Sequence, residues 1–345
     1  MDTHPTERRL AVWALFSALA GLMLFALATA GATSAASGDA KDLNAPIAET
    51  SLWHIEAVDV SHSLGDPSSH SLALESSGYP HIAYGGDHLY HAWYDGSAWH
   101  IETVDSAPDV GRNASLTLDA GDHPHISYYD GINEDLKYAH YDGSAWHIET
   151  VESTGDVGAW TSIALDGSGY PHISYVNVSS YDLKYARYDG STWHIETVDN
   201  AGDMGFSSLA LGTDGYPHIG YYDYTNRDLK YARFDGSTWH IQVVDSVGDV
   251  GKDASLALDA ADHPHISYLG YFPIMDLKYA FYDGAGWHTE TVDSVGFVGG
   301  YTSLALDAAW HPHISYYDFT SKDLKYVTIK ILDHQVHLPL VVRNQ

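Results

Sequence analysis

The sequence predicts an all-β protein, a six-bladed β-propeller with four antiparallel strands per blade, and three observations carry that reading. One unit recurs along the chain: Trp53, Trp99, Trp146, Trp193, Trp239 and Trp287 mark one strand, and Pro80, Pro124, Pro171, Pro217, Pro264 and Pro312 precede another, in steps of about forty-seven residues. Each copy contains four short runs rich in β-branched and aromatic residues, separated by turn residues. The copies are also offset from the chain ends. Trp53 to Asp59 opens the series as a fourth strand with no first three, and the last copy ends after its third.

In the second unit, strand a is read as Ser115 to Asp119, b as His125 to Asp130, c as Leu136 to Asp142 and d as Trp146 to Val151. Asp142-Gly143 supplies the positive φ of a tight c to d hairpin, so the strands form a meander. Large side chains alternate onto both faces of c and d, as expected for a sheet sandwiched between two neighbours. Stacked units of this kind close into a ring. The N-terminal strand, residues 53–59, is expected to complete the last blade and remove the exposed sheet edges.

Residues 1–35 carry Arg8 and Arg9, an apolar run from Leu10 to Ala30 and small residues after it, which reads as a cleaved signal peptide or, alternatively, a retained N-terminal membrane anchor. Residues 36–52 form a linker, 53–328 the propeller and 329–345 a C-terminal tail. A secreted or cell-surface location follows, with membrane contact only through an uncleaved N-terminus. The formal charge of -30 repels phosphate backbones, so nucleic acid is not an expected partner. The absence of cysteine excludes disulfides, thiolate metal sites and a cysteine nucleophile.

Histidine recurs after the strand d tryptophan and after the strand b proline, which is the behaviour of a framework residue rather than a zinc ligand. Asp156, Asp203 and Asp249 lie in glycine-flanked loops without the spacing of a calcium loop; calcium remains an option and no cofactor is required. No pair of carboxylates stands apart from the repeat, so no residue is assigned a catalytic role.

Comparison of the copies directs attention elsewhere. The a to b and c to d turns hardly differ, whereas the d to a and b to c loops, on the opposite face, diverge. Just before strand a, the divergent residues are Arg112, Trp160, Phe206, Lys252 and Tyr301; in the b to c loops they sit beside Tyr129 and Asp130, Tyr222 and Asp223, and Tyr317 and Asp318. Aromatic rings flanked by hydrogen-bonding groups suit sugars, so these residues form the expected ligand site, with Trp160, Phe206 and Tyr301 converging near the axis.

With PHISYYD, DLKY and YDGSTWHIETVD in view, the chain resembles secreted bacterial proteins built from these repeats, over nearly all of residues 53–328. At fold level it resembles the six-bladed fucose-specific lectins, which bind between blades through an arginine, a glutamate and an aromatic residue. That resemblance implies an inter-blade sugar site at Arg187, Glu196 and Arg233. The expectation is a monomeric, non-catalytic binding module for glycan. The alternatives are a scaffold for an extracellular protein and, further off, a calcium-dependent hydrolase or lactonase.

Overall fold

Blade 2 shows how one repeat folds. Strands a (Val110–Leu118), b (Pro124–Asp130), c (Asp135–Tyr141) and d (Trp146–Glu152) pair antiparallel in chain order. The c to d turn is held by Asp142, whose Oδ1 accepts the N–H groups of Ser144 (2.8 Å) and Ala145 (2.9 Å), while Gly143 takes φ 89°. His147 then closes the hairpin on Asp142 Oδ2 at 2.6 Å.

The computed structural model describes residues 57–59, 61–62, 70–272 and 275–329, and among them it holds six such sheets and no helix. Five sheets have four strands; blade 6 has a (Val298–Leu306), b (Pro312–Asp318) and c (Asp323–Thr328). Together they form a six-bladed β-propeller. Strand a is the innermost of each blade and is tied to its neighbour: Ser115 Oγ accepts from Ile163 N, Ser162 Oγ from Leu209 N, and Ser208 Oγ from Leu256 N.

The core lies between blades, because both faces of each sheet are apolar. Leu136 and Tyr138 of blade 2 pack with Val157, Ile163, Ile173 and Tyr175 of blade 3, and blades 3 to 5 repeat the pattern. At the end of each strand d, a carboxylate crosses to the next blade. Asp105 accepts from Tyr128 Oη (2.7 Å) and Lys137 Nζ (2.6 Å). Glu152 does the same for Tyr175 and Lys184, and the Asp199, Asp245 and Asp293 junctions repeat it with Tyr221 and Lys230, Tyr268 and Lys278, and Tyr316 and Lys325. Burial raises the Asp105 pKa, but Lys137 and the backbone N–H of Ala107 outweigh it and the net shift is downward.

The expected closure by Trp53–Asp59 falls largely outside the described residues. Val58 and Asp59 are described, and Asp59 accepts from Tyr84 Oη at 2.6 Å, the role Asp105 takes toward blade 2. At the seam, Leu324 is 80% exposed and Leu72 is 60% exposed, whereas their counterparts Leu136 and Leu116 are 0% and 6% exposed. The expected signal segment and linker, and the tail beyond Ile329, also lie outside the described residues.

Strand a of blade 2 begins at Val110 rather than Ser115. The glycine-containing stretch read as loop continues the ladder across a bulge.

Candidate ligand-binding sites

The bulge is the first feature that singles out residues. In five blades the ladder pairing of strand a shifts register at an equivalent position, and the residue there is in the left-handed region: Asn113 (φ 52°), Trp160 (49°), Phe206 (51°), Asp253 (52°) and Tyr301 (50°). Bulky side chains rarely take this conformation, and its recurrence at one position of the innermost strand marks a built device. Neighbouring bulges are stitched together. Asn113 Oδ1 accepts from Trp160 N (3.3 Å), Trp160 O from Ser207 Oγ (2.8 Å), and Asp253 Oδ2 from Tyr301 N (2.8 Å).

The three aromatic residues expected at the axis occupy equivalent positions but two clusters. Trp160 and Phe206 meet at 5.4 Å between ring centroids, and Tyr224 lies 6.2 and 6.0 Å from them. Tyr301 groups instead with Tyr317 (6.3 Å) and Phe319 (6.1 Å). Each cluster depends on a glycine: a Cβ on Gly205 would strike the Tyr224 ring, and one on Gly300 the Phe319 ring.

Several other residues expected to contact ligand are engaged within the protein. Arg112 pairs with Asp109 at 2.5 Å. Tyr129 and Tyr222 are buried, and their hydroxyls donate to Asp156 (2.9 Å) and Asp249 (2.6 Å). Asp130, Asp223 and Asp318 are buried, cap the b to c turns and face Lys137 (3.9 Å), Lys230 (2.8 Å) and Lys325 (2.9 Å). Lys252 stands 3.5 Å from the Tyr271 ring centroid, with Tyr222 at 5.2 Å, Tyr224 at 6.0 Å and Asp249 Oδ2 at 3.6 Å. Burial draws its pKa down despite Asp249. These groups hold the loops that frame the face.

The second feature lies between blades, at the opposite end of strands c and d. Trp287 Nε1 donates to Gln242 Oε1 of the preceding blade at 2.8 Å. At the two preceding junctions the repeat puts Glu196 opposite Trp239 and Glu149 opposite Trp193; there the buried indole N–H groups find no acceptor among the described residues. One junction earlier Glu102 is engaged by His91 Nδ1 at 3.1 Å and faces the Trp146 indole, and both contacts lower its pKa. Over these four junctions strand c presents Trp93, His140, Arg187 and Arg233 in turn. Arg187 and Glu196 are exposed on the face of blade 3 that carries Tyr185, whose ring meets Trp239 of blade 4 at 5.4 Å. Arg233 donates to Asp214 at 3.2 Å. Between blades 2 and 3 the cleft opens to about 550 Å³, lined by His140, Glu149, Tyr170 and Tyr188 among others. His140 Nδ1 there is buried and has no hydrogen-bond partner among the described residues. Sequence reasoning passed over His140 and the indole N–H groups; the change from Glu to Gln242 inside a uniform motif was the available signal.

The histidines are framework. His100, His147, His194, His240 and His288 each meet their hairpin aspartate at 2.6 Å. Those of strand b in blades 2 to 6 bond a strand c tyrosine hydroxyl, as His218 does with Tyr231 at 2.5 Å, and in blade 1 His81 meets His91 at 3.0 Å. Burial first, then His140 in one case and Arg233 in the other, takes His125 and His218 down to about 4. Among the described residues no three His, Asp or Glu side chains are arranged to hold a metal ion.

No protein-family model and no curated protein matches the chain in sequence. Solved structures share its fold. The lectin SapL1, in complex with alpha methyl fucoside, is 15% identical with a TM-score of 0.50 over 75% of this chain and 94% of its own. An ulvan lyase of a polysaccharide lyase family is 12% identical with a TM-score of 0.54, over 75% and 78%. The NanB sialidase from Streptococcus pneumoniae is 10% identical with a TM-score of 0.51, over 80% and 70%. At these identities the likeness is one of fold: the chain is a β-propeller of the architecture on which these proteins are built.

Proposed function

We propose that this protein is an exported, non-catalytic glycan-binding propeller whose ligands occupy the clefts between blades 2 and 3 and between blades 3 and 4. The observation that carries this reading is the buried indole N–H of Trp193 and Trp239, without an acceptor among the described residues and paired in the repeat with a strand d glutamate. A buried donor without an acceptor costs free energy that a ligand can recover. A sugar hydroxyl fits because it accepts from the indole and donates to the carboxylate at once. The cleft between blades 3 and 4 adds the exposed Arg187 as a further donor, and Tyr216 there corresponds to Tyr170 in the neighbouring cleft. Arg233 serves the next junction, where Gln242 already satisfies Trp287. The propellers that share this fold include a lectin solved with a fucoside, which puts fucosides first among the sugars to try.

A glycan array probed with the chain from Ala36 to Gln345 tests the reading. Saturable binding that free monosaccharide competes away is the expected result, and an array without a bound sugar overturns it. A second reading, a protein scaffold, draws on the outer strands, where Ile101, Ile148, Ile195 and Ile241 repeat as an exposed apolar row. Capture of a partner that free sugar does not disturb would favour it. Export by residues 1–35 is checked by N-terminal sequencing of the protein recovered outside the cell.

A further inference from the structure

Blade 1 departs from the repeat at two positions that act on one histidine pair. The residue after strand a is an aspartate in blades 2, 3, 5 and 6 and a glycine in blade 4, but a glutamate, Glu75, in blade 1. The strand c tyrosine that bonds the strand b histidine in the other blades is His91 in blade 1. The result is a continuous chain of hydrogen bonds. His81 Nε2 meets Glu75 Oε2 at 3.4 Å, His81 Nδ1 meets His91 Nε2 at 3.0 Å, and His91 Nδ1 meets Glu102 Oε1 at 3.1 Å. In blades 2, 3 and 6 the aspartate stops short of its histidine, at 3.8, 3.9 and 3.7 Å.

The protons in this chain can be counted. Each of its three bonds needs one hydrogen, and an ionised carboxylate supplies none. Two neutral imidazoles bring two, so one bond is left as two acceptors facing each other, with both histidines buried at 6% and 3% exposure. The other blades have no such shortage, because the tyrosine hydroxyl brings a hydrogen of its own. A third proton completes the blade 1 chain and leaves one positive charge between two carboxylates.

The surroundings suit a single added proton. Glu75 faces the pair from the a to b turn, Glu102 from strand d, and Asp122 of blade 2 adds a further negative charge toward His81. The other rings packed on His91, Trp93 at 5.2 Å and Trp146 of blade 2 at 5.6 Å, carry no charge. Burial first, then the neighbouring His91, lowers the His81 pKa, which opposes a second added proton.

We propose that Glu75, His81, His91 and Glu102 bind one proton beyond those of two neutral imidazoles, and that this proton fastens blade 1 to blade 2. Both ends of the chain border blade 2: Ser76, next to Glu75, donates its N–H to Asp122 at 2.8 Å, and Glu102 faces the Trp146 indole. Whichever end opens when the proton leaves, that junction loosens. The site stands whether or not the clefts bind sugar. The sign follows from linkage. The unfolded chain takes up histidine protons only near the ordinary 6.5, so a proton held by the folded chain above that value adds stability as pH falls toward 6.5.

Ring ¹⁵N spectra of the full chain at pH 6.5 and thermal melts from pH 8.5 to 6.5 test the proposal. Expected are three hydrogens on the four ring nitrogens of His81 and His91. His91→Tyr restores the residue of the other blades, so it tests the proton without disturbing the fold; His81 should then carry one hydrogen. Glu102→Gln can donate its own amide hydrogen to His91 Nδ1, and the pair should fall to two. The melting midpoint of the parent should gain on that of His91→Tyr by about 2 °C or more as pH falls across this range. Two neutral rings in the parent, three hydrogens retained in Glu102→Gln, or a parent and His91→Tyr whose midpoints move in parallel would each overturn the proposal.

Discussion

The two ends of each blade junction solve opposite problems. At the inner end of the junction between blades 3 and 4, Lys230, Asp199, Asp223 and Tyr221 are buried and mutually bonded, with Lys230 Nζ 3.0 Å from Asp199 and 2.8 Å from Asp223. At the other end, Arg187 and Glu196 are exposed and the Trp239 N–H has no acceptor among the described residues. The inner arrangement recurs with hardly a change, and at the outer end strand c carries Trp93, His140, Arg187 or Arg233 at the corresponding position. Where the polar groups satisfy one another the protein is holding itself together; where a donor is left over, it is prepared for something else.

The most severe way to break the inner end is Lys230→Met. It leaves Asp199 and Asp223 buried without their cation, and the expected loss is about 3–5 kcal/mol in urea unfolding. A loss below about 1 kcal/mol would mean that the strut is decorative and that packing alone defines the junction.

Acid attacks the same framework through the strand b histidines. His218 has a folded-state value of about 4 against an ordinary 6.5, so the unfolded chain takes up its proton first as pH falls. Above 6.5 both states are neutral and nothing is lost. Destabilisation sets in below 6.5 and is complete near 4, and a shift of this size is on the order of 3 kcal/mol. Thermal melts between pH 7 and pH 4.5 should show a falling midpoint, and His218→Gln should fall less steeply. An equal slope in the variant would assign the acid sensitivity to other groups.

The uniform parts of the chain were legible for a physical reason. Repetition of Trp146 and Pro124 in six units and of Asp142-Gly143 in five reports strand period and turn chemistry, which are local. The inner strut was not read, although its members recur, because Lys137 and Asp105 are far apart in sequence and meet only after two blades stack. The bulge escaped because nothing about Trp160 or Phe206 announces a positive φ in the way glycine does. The same gap explains why Tyr129, Asp130 and Tyr222 read as ligand contacts: they neighbour divergent loops, but their side chains turn inward to Asp156, Lys137 and Asp249. Arg187 and Glu196, placed by resemblance, do lie exposed on one face of blade 3.

At the outer end the expected effects move from stability to binding. Arg187→Ala and Glu196→Gln alter exposed side chains, so unfolding should shift by no more than about 0.5 kcal/mol. Affinity for the glycan selected on the array should fall about tenfold in each, as for loss of one charge-assisted hydrogen bond. Loss of stability comparable to Lys230→Met would erase the distinction between the two ends.

The finest test uses the one outer site that already resembles the inner ones. Gln242 accepts the Trp287 N–H at 2.8 Å and so closes the junction between blades 4 and 5 with a bond that the Glu149 and Glu196 junctions lack among the described residues. Gln242→Glu makes this junction match them in sequence. A carboxylate keeps its hydration by turning to solvent, as the exposed Glu149 and Glu196 do, and the indole is then left with its donor free. The stability cost should be near 1 kcal/mol, the value of one neutral hydrogen bond. Arg233 would stand beside the new carboxylate as Arg187 stands beside Glu196, so the number of sugars bound per chain should rise by one. An unchanged stoichiometry would show that the orphaned indole and its glutamate do not make a site.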